Sequence, residues 1–518
     1  MKSAQIEKLI HHEFVRIAKK FGKKIAVIDR TTDQRVTYSR GLLVSLLFSE
    51  TFKKYDDEYV GVMLPNTAGA FLTIIGLLMA RKVPVLINYS TGAETNCKYA
   101  QDLCGFKTII TSKGLLEKIN CPALPGMLMI EDMPQQFKKI QKLRALAYSK
   151  LPVRLLLNSF KKTDRDDTST ILFTSGSENN PKAVQLSHRN ILANVVDIRE
   201  AFNITHEAVF LSILPLFHVF GLTTCFWTPI LTGCSTATYA NPLEFKTIPK
   251  IIKEEKVTLI AGTPSFFAGY LRESEIGDFQ SVEIMVAGAD KTPDWLRKAY
   301  KDKHNIALYE GYGTTETSPV ISANTPNANR PGSIGKPVTG AQVKITDLET
   351  NATLPPGKEG KILVKGDLVM KGYFDDFETT SMRIRDGWYD TGDMGVIDEE
   401  GYIWHRGRLK RFVKIGGEMV SMVKVETEIT KLLSDDIECC VIEIPDPRKG
   451  ARLAVVTTTE IEKNKIMKQL NDTLPQIAIP KIYMTLPELP KMGSGKIDFR
   501  SVTKTVRKNL IQQTVQKN

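Results

Sequence analysis

The chain has 518 residues, 42% of them hydrophobic and 25% charged, the composition of a folded globular protein long enough for several domains. A net charge of +12 favours acidic partners: a membrane surface, nucleic acid or an acidic carrier protein. Seven cysteines without a CxxC pair, with Cys439 and Cys440 adjacent, suit buried thiols in a reducing cytoplasm better than a disulfide framework or a zinc site.

The N-terminal stretch MKSAQIEKLIHHEF lacks an apolar signal core. Lys24 to Thr37 reads as two short strands around the polar turn Arg30-Thr31-Thr32-Asp33. Tyr59 to Met63 alternates like a strand. Asn66 is placed to cap a helix that carries Phe71, Ile74, Ile75 and Leu78 on one face. Val83 to Ile87 and Lys107 to Thr111 are further strands. Strands alternating with helices imply a parallel sheet of the α/β class.

Lys138 to Thr163 has a different character. It holds Lys138, Lys139, Lys142, Arg144, Lys150, Arg154, Lys161 and Lys162 without an acidic residue, and Leu143, Leu146, Ala147 and Tyr148 interleave near helical spacing. Such a stretch can lie on anionic lipid or face an acidic protein, or it can be a solvated helix with a few core leucines.

Ile171-Leu172-Phe173 reads as a buried strand that empties into Thr174-Ser175-Gly176-Ser177 and then Glu178 to Lys182. Hydroxyls, a glycine and a lysine after a strand can wrap phosphate oxygens; the same residues also make an ordinary solvated turn. The spacing differs from GxxxxGK[ST]. A helix follows, with Ser187 as its cap. Leu211 to Leu222 is an apolar run around Pro215 and His218. A lone histidine there is read either as core or as a substrate contact, and Phe226 and Trp227 as tunnel wall or as core. No run reaches membrane-spanning length; Phe210 to Cys234 comes nearest and is broken by His218 and by Thr and Gly residues.

Val257 to Ala261 and Ile284 to Ala287 are strands that end on small residues, Gly262 and Gly288-Ala289, where a flat ligand can approach the backbone. Leu308 to Pro319 reads LYEGYGTTETSP. An aromatic beside glycines can stack on a base, a threonine can bond a phosphate, and a carboxylate can hold Mg²⁺; Thr-Thr-Glu also suits a capped helix start. From Gly332 to Arg408, alternating short strands and recurring turns suggest a small antiparallel β subdomain. It contains Trp388-Tyr389-Asp390-Thr391-Gly392-Asp393 and ends at Gly407-Arg408-Leu409-Lys410. Beyond it come the loop Lys414-Ile415-Gly416-Gly417-Glu418, a helix from about Val423, strands near Cys440–Ile444 and Leu453–Thr458, and a helix from about Glu462. The run Leu489 to Ile497 places two glycines before Lys496.

In this order the segments resemble the motifs of the adenylate-forming superfamily (acyl-CoA synthetases, luciferases, peptide-synthetase adenylation domains), from about Phe14 to Val506. Within it they look most like acyl-[acyl-carrier-protein] synthetases, including the synthetase half of bifunctional acylglycerophosphoethanolamine acyltransferases. Asn179, Ala183 and Ala287 stand where the family pattern has glycine; Ala183 is hard to accommodate if the backbone there needs positive φ.

The resemblance implies an α/β fold. A large N-terminal domain of parallel α/β layers, residues 1–409 with the β subdomain at about 332–408, precedes a mobile small α+β lid domain, 410–518. It implies ATP and Mg²⁺ as cofactors. Thr174, Ser175, Gly176, Ser177 and Lys182 would hold phosphate, and Thr174 and Glu316 the metal. Gly288, Ala289, Glu310, Gly311 and Tyr312 would form the adenine side, with Tyr312 stacking on the base. Thr315 would contact the α-phosphate, Asp393 and Arg408 the ribose, and His218 the acyl carboxylate. Lys496 would be the adenylation lysine and Lys410 the hinge.

The implied reaction is fatty acid activation to acyl-AMP, then transfer to the phosphopantetheine thiol of acyl carrier protein, with coenzyme A as the alternative acceptor. A weakly catalytic, membrane-associated acyl- or adenylate-binding protein is the alternative of another class, suggested by Asn179 and Ala183. Nucleic acid is not among the expected partners. The expected location is the cytoplasm, with peripheral attachment to the anionic inner membrane face through 138–163.

Overall fold

Short apolar runs seed the sheets. Val83–Leu86 is buried at every position and pairs in parallel with Tyr59–Val62 on one side and Thr168–Phe173 on the other. Side chains on both faces of such a strand are covered, which is why it reads as a continuous apolar run rather than an alternating one. In the computed structural model of the protein, the described residues are 8–174, 181–415, 418–434, 437–446, 450–491 and 497–515. They fall into two compact units. One holds the residues up to Thr174 with Pro181–Gln342 and Val364–Tyr389; the other holds Val343–Leu363 and the described residues from Asp390 on.

The first unit contains two sheets. One runs in the order Gly372–Tyr373, Ala183–Ser187, Thr168–Phe173, Val83–Leu86, Tyr59–Val62, Ile109–Thr111, Met127–Met129. The other runs Lys336–Pro337, Val320–Ala323, Leu308–Gly313, Ile284–Ala287, Leu259–Gly262, Val209–Ser212, Ser235–Thr238, Ile25–Asp29, Gln34–Thr37. Both are parallel in the middle, as expected; the first is antiparallel at one edge only, and the second at both. Thr168–Phe173 pairs with Ala183–Ser187, and Leu308–Gly313 with Val320–Ala323, in antiparallel register. The strand Ala183–Ser187 is an addition to the sequence reading; it closes a hairpin around the segment from Thr174 to Lys182.

The helix Ala68–Met79 is buried on all sides, with eleven of its twelve residues inside, so it is a core helix rather than an amphipathic one. Its cap is Thr67, whose hydroxyl accepts the Ala70 N–H, and not Asn66. The Asn66 amide instead donates to the Leu214 carbonyl at 2.6 Å and ties the helix to the His218 segment. Phe226 lies in the same core, stacked on Phe71 at 4.3 Å and on Trp227 at 4.1 Å. Each large apolar side chain sealed this way contributes about 1.5–3 kcal/mol. Phe226 and Trp227 are therefore core residues.

The antiparallel strands expected between Gly332 and Arg408 are present, most of their residues in the second unit: Gln342–Thr346, Gly360–Lys365, Trp388–Ile397 and Ile403–Arg408. The C-terminal part packs Met422–Thr430 and Lys463–Leu470 with Cys439–Asp446, Gly450–Thr457 and Ile482–Thr485. Ile482–Thr485 and the long helix Phe499–Val515 add to the elements read from the sequence. Six of the seven cysteines are buried and Cys121 is half-buried; all are free thiols. No helix among the described residues is long and apolar enough to cross a membrane.

Candidate active site

The first unit carries most of the residues singled out for chemistry, and it brings them to neighbouring strand ends. The hairpin after Thr168–Phe173 is closed by two hydrogen bonds. The Thr174 N–H donates to the Lys182 carbonyl at 2.9 Å, and the Lys182 N–H donates to the Thr174 hydroxyl at 3.2 Å. Tyr99 donates to the Pro181 carbonyl and steadies the same base. Ser175, Gly176 and Ser177 lie outside the described residues, as does Asn179. Ala183 lies in an extended strand opposite Phe173 and is not among the residues with positive φ, so alanine is accommodated there without strain.

The strand Leu308–Gly313 delivers the second group. Gly311 pairs with Ala323 and Tyr312 with Ser322. The strand runs parallel to Ile284–Ala287, with Ala287 opposite Glu310, so the Gly288-Ala289 turn sits beside Gly311. A Cβ on Gly288 would stand 3.5 Å from the Gly311 carbonyl and 3.0 Å from the Phe220 ring, so glycine lets three segments meet. Ala289 adopts φ 70°, a left-handed conformation that costs a non-glycine residue about 1–2 kcal/mol and is tolerated at ligand-binding turns. Glu310 forms a largely buried ion pair with Arg297 at 3.0 Å and also accepts the Gly332 N–H at 2.9 Å.

His218 stands just before the π-helix Phe220–Trp227, half-buried beside the Phe217 ring at 4.6 Å. Gly221 is obligatory in this turn, because a Cβ there would lie 2.4 Å from the carbonyls of both Leu214 and Pro215. Since Phe220 touches Gly288, the His218 segment adjoins the Gly288–Gly311 junction.

After Gly313 the chain forms the short 3-10 turn Thr315–Thr317, capped by Thr314 and the buried Thr317. Thr315 and Glu316 remain half-buried at its start. The capping reading of Thr-Thr-Glu therefore holds: the threonines fix the turn, and Glu316 stays partly exposed beside it. Glu316 accepts a hydrogen bond from the Tyr373 hydroxyl at 2.8 Å. Tyr373 is buried, and the Lys182 ammonium lies 4.8 Å from its ring centre. Burial first, then the Glu316 charge, raises the Tyr373 pKa, so the phenol stays a neutral donor. Tyr389, buried beside it, is raised for the same reasons.

Tyr373 thus joins Lys182 to the Glu316 carboxylate. Nothing in the local sequence marks it. It sits in the two-residue strand Gly372–Tyr373, which pairs with Val184 and Gln185, and only the fold reveals the contact. The oxygen donors of Glu316 and Thr174 suit a hard cation such as Mg²⁺, which binds through one or two carboxylates and substrate phosphates. Among the described residues there is no group of three or more His, Cys, Asp or Glu that would make a separate metal cage.

The second unit supplies its own pair. Asp393 on Trp388–Ile397 lies directly opposite Arg408 on Ile403–Arg408, with Arg408 Nε 3.3 Å from the carboxylate. Asp393 is buried and Arg408 largely exposed. The Asp393 N–H donates to the Thr391 hydroxyl, and Asp390 accepts the Gly392 N–H. Lys410 lies exposed in the turn Leu409–Arg411. Its neighbour Arg411 is committed to Glu426 and the Val441 carbonyl and stacks on Phe499. Lys496 and Gly416 lie outside the described residues.

Residues 14–374 match the family described as AMP-binding enzyme, and 433–496 match the AMP-binding enzyme C-terminal domain. The chain belongs to the AMP-binding enzyme family. It is 29% identical over 514 residues to a long-chain-fatty-acid–CoA ligase of Bacillus subtilis (strain 168), covering 92% of this chain and 89% of that protein. It is 28% identical over 512 residues to 4-coumarate–CoA ligase 2 of Petroselinum crispum, covering 92% and 90%. Among solved structures, the fold matches ATP-bound MatB from Rhodopseudomonas palustris with a TM-score of 0.82 at 22% identity, over 96% of this chain and 98% of that one. It also matches the anthranilate CoA ligase AuaEII in complex with anthranoyl-AMP, with a TM-score of 0.83 at 22% identity over 98% and 99%. The protein is an AMP-forming acid–thiol ligase that activates an acyl or aryl carboxylate, with ATP and Mg²⁺ as its cofactors.

Proposed function

We propose that the protein is a fatty acid–CoA ligase. The observation that supports the reading is the junction of Lys182, Tyr373 and Glu316, a cation and a carboxylate that share one buried phenol. The substrate class is supported by the whole-length likeness to a long-chain-fatty-acid–CoA ligase. The sequence reading put acyl carrier protein first as acceptor. The curated relatives are named as CoA ligases, so the acceptor proposed is coenzyme A, and carrier protein becomes the competitor to be tested.

In this reading a fatty carboxylate, oriented beside His218, attacks the α-phosphorus of ATP; the bond to pyrophosphate breaks and acyl-AMP forms. Mg²⁺ at Glu316 and Thr174 would supply charge neutralisation on the phosphates. Tyr373 holds the Glu316 carboxylate in place, and Lys182 and Thr174 grip phosphate oxygens. Tyr312 stacks on adenine between Gly311 and the Gly288-Ala289 turn, while Asp393 and Arg408 receive the ribose hydroxyls. Lys496 neutralises charge at the α-phosphate. The thiol then attacks the acyl carbonyl and AMP leaves. Residues 410–518 act as the lid and turn about Lys410 between the two half-reactions. Because the nucleophile is already an anion, positioning and electrostatics carry the first step.

The test is to measure ATP–pyrophosphate exchange over a series of fatty and aryl carboxylates, then thioester formation with coenzyme A and with holo acyl carrier protein. Exchange that peaks on fatty acids, followed by faster transfer to coenzyme A, upholds the proposal. Preference for an aryl acid, or for carrier protein, overturns it. Failure to form any adenylate would favour the binding-protein alternative, of which one ground is already weakened because Ala183 sits in an unstrained strand.

A further inference from the structure

The helix Lys139–Lys150 and the shorter helix Val153–Asn158 present an outward face that none of the chemistry above uses. Only Gln141 and Ala145 of the first helix are buried, and only Leu156 of the second. Ile140, Leu143, Leu146, Tyr148 and Leu155 are exposed, between 36% and 63%. These five, all within sixteen residues of chain, are nearly half of the twelve large hydrophobics exposed among the described residues. At about 100° per residue, Ile140, Leu143 and Ala147 fall within about 60° of one another, turned away from Gln141 and Ala145.

The normal order of an amphipathic surface helix is inverted here, because Ile140, Leu143 and Ala147 look outward while Gln141 and Ala145 look in. Lys139, Lys142, Arg144 and Lys150 lie among the exposed leucines, and Lys138, Arg154, Lys161 and Lys162 extend the charge. All eight are exposed, and none has an ion-pair partner among the described residues. The face is held rigidly. Lys19 donates from the preceding helix Ile10–Lys20 to the carbonyls of Ser149 and Leu151, each at 2.6 Å. The Gln141 side chain accepts the Lys138 N–H at 2.9 Å at the other end. Leu151, Leu157 and Phe160 anchor the pair of helices to the main core. Lys20 and Lys23, exposed next to Lys19, continue the cationic border.

We infer that this face docks the protein on an anionic lipid bilayer. Two features together select that occupant. The cations have no acidic residue interspersed, so they complement a uniformly negative plane. The apolar side chains project between long lysine stems, which can lie along the acyl boundary with their ammonium groups at headgroup level. An acidic protein partner would share these charges, and the test below separates it from the bilayer. The inference does not depend on which carboxylate or thiol the enzyme uses.

Vesicle co-sedimentation of the full chain tests it, comparing phosphatidylcholine vesicles with vesicles of phosphatidylcholine and phosphatidylglycerol. The expected result is binding to the mixed vesicles that weakens as salt is raised. The double variant Leu143→Ser with Leu146→Ser should reduce that binding about tenfold or more. The triple variant Lys139→Glu, Lys142→Glu, Lys150→Glu should remove the preference for anionic lipid, again by about tenfold or more. Both variants alter exposed positions only, so their thermal stability and their exchange activity with a short water-soluble carboxylate should match the parent and show that they fold. Absence of binding to mixed vesicles, or binding unaltered in both variants, overturns the inference. So does normal vesicle binding in variants that have lost acyl transfer to an acidic carrier protein, which would assign the face to that protein.

Discussion

The two units handle polar functional groups differently. In the first, chemistry is arranged by backbone. Gly221 and the Gly288 turn permit close approaches that a Cβ would block or crowd, Ala289 takes a left-handed conformation, and one buried phenol links Lys182 to Glu316. In the second, Asp393 and Arg408 face each other across two antiparallel strands, and the local turn bonds of Asp390 and Thr391 hold the carboxylate. Approach geometry governs one unit and a single cross-strand pair governs the other. Substitutions in the first should therefore disturb several contacts at once, and those in the second should read out as one lost interaction.

The largest expected effect belongs to Lys496→Ala, which should lower ATP–pyrophosphate exchange by about 10²-fold or more while acyl transfer from supplied acyl-AMP survives. Equal loss of both reactions would remove the proposed division of labour. Asp393→Ala should raise KM for ATP by about tenfold to 10²-fold with a smaller change in kcat, because it leaves Arg408 without its opposite carboxylate and removes the ribose acceptor. Unchanged KM would take Asp393 out of nucleotide binding.

Tyr373→Phe should raise the Mg²⁺ concentration needed for half-maximal exchange by about tenfold, since a hydrogen bond to a carboxylate in a buried setting is worth about 1.5–3 kcal/mol. An unaltered Mg²⁺ titration would reduce Tyr373 to a core residue. The smallest effect is expected of Ala183→Gly. If the strand assignment is right, restoring the family glycine should lower stability by about 0.5–1 kcal/mol and leave the exchange rate alone. A marked gain in rate would show that the loop wants glycine there.

Acid should separate the units as well. His11 and His188 are fully buried in the first unit, and burial drives both pKa values down, that of His188 to about 3. Their folded pKa values lie below the unfolded value, so the stability they allow is complete above about pH 6.5 and is lost as pH falls below it. Asp197, raised by burial to about 6, works in the opposite sense between its unfolded value and about pH 6. The two histidines together outweigh it. The second unit contains a single histidine, the exposed His405. Thermal scans between pH 7 and 5 should therefore show the first unit's transition falling more than the second's; a larger fall in the second would contradict the burial of the histidine pair.

Much of this organisation is legible in the chain, because the chemistry of strand ends is local. Thr174, Gly288, Tyr312, Glu316 and Asp393 each follow a readable strand and stand at or beside its end, or within it near a glycine. What escapes is whatever depends on distant pairing. The edge strand Ala183–Ser187 is short and looks like the tail of a loop until Thr168–Phe173 is seen opposite it. Tyr373 gains its role only through the pairing of Gly372–Tyr373 with that same strand. The one-residue shift of the helix cap from Asn66 to Thr67 has a similar cause, since Asn66 is drawn away by Leu214, far along the chain. Glu310, which the resemblance assigns to the nucleotide site, also has a partner that no local motif marks: Arg297, on the helix Asp294–His304, pairs with its carboxylate.

The most direct test of the account is carboxylate-dependent exchange of labelled pyrophosphate into ATP by the purified protein with Mg²⁺. The account predicts exchange that requires a fatty acid and yields AMP when coenzyme A is added. Release of ADP and phosphate, or exchange that proceeds equally without any carboxylate, would contradict it.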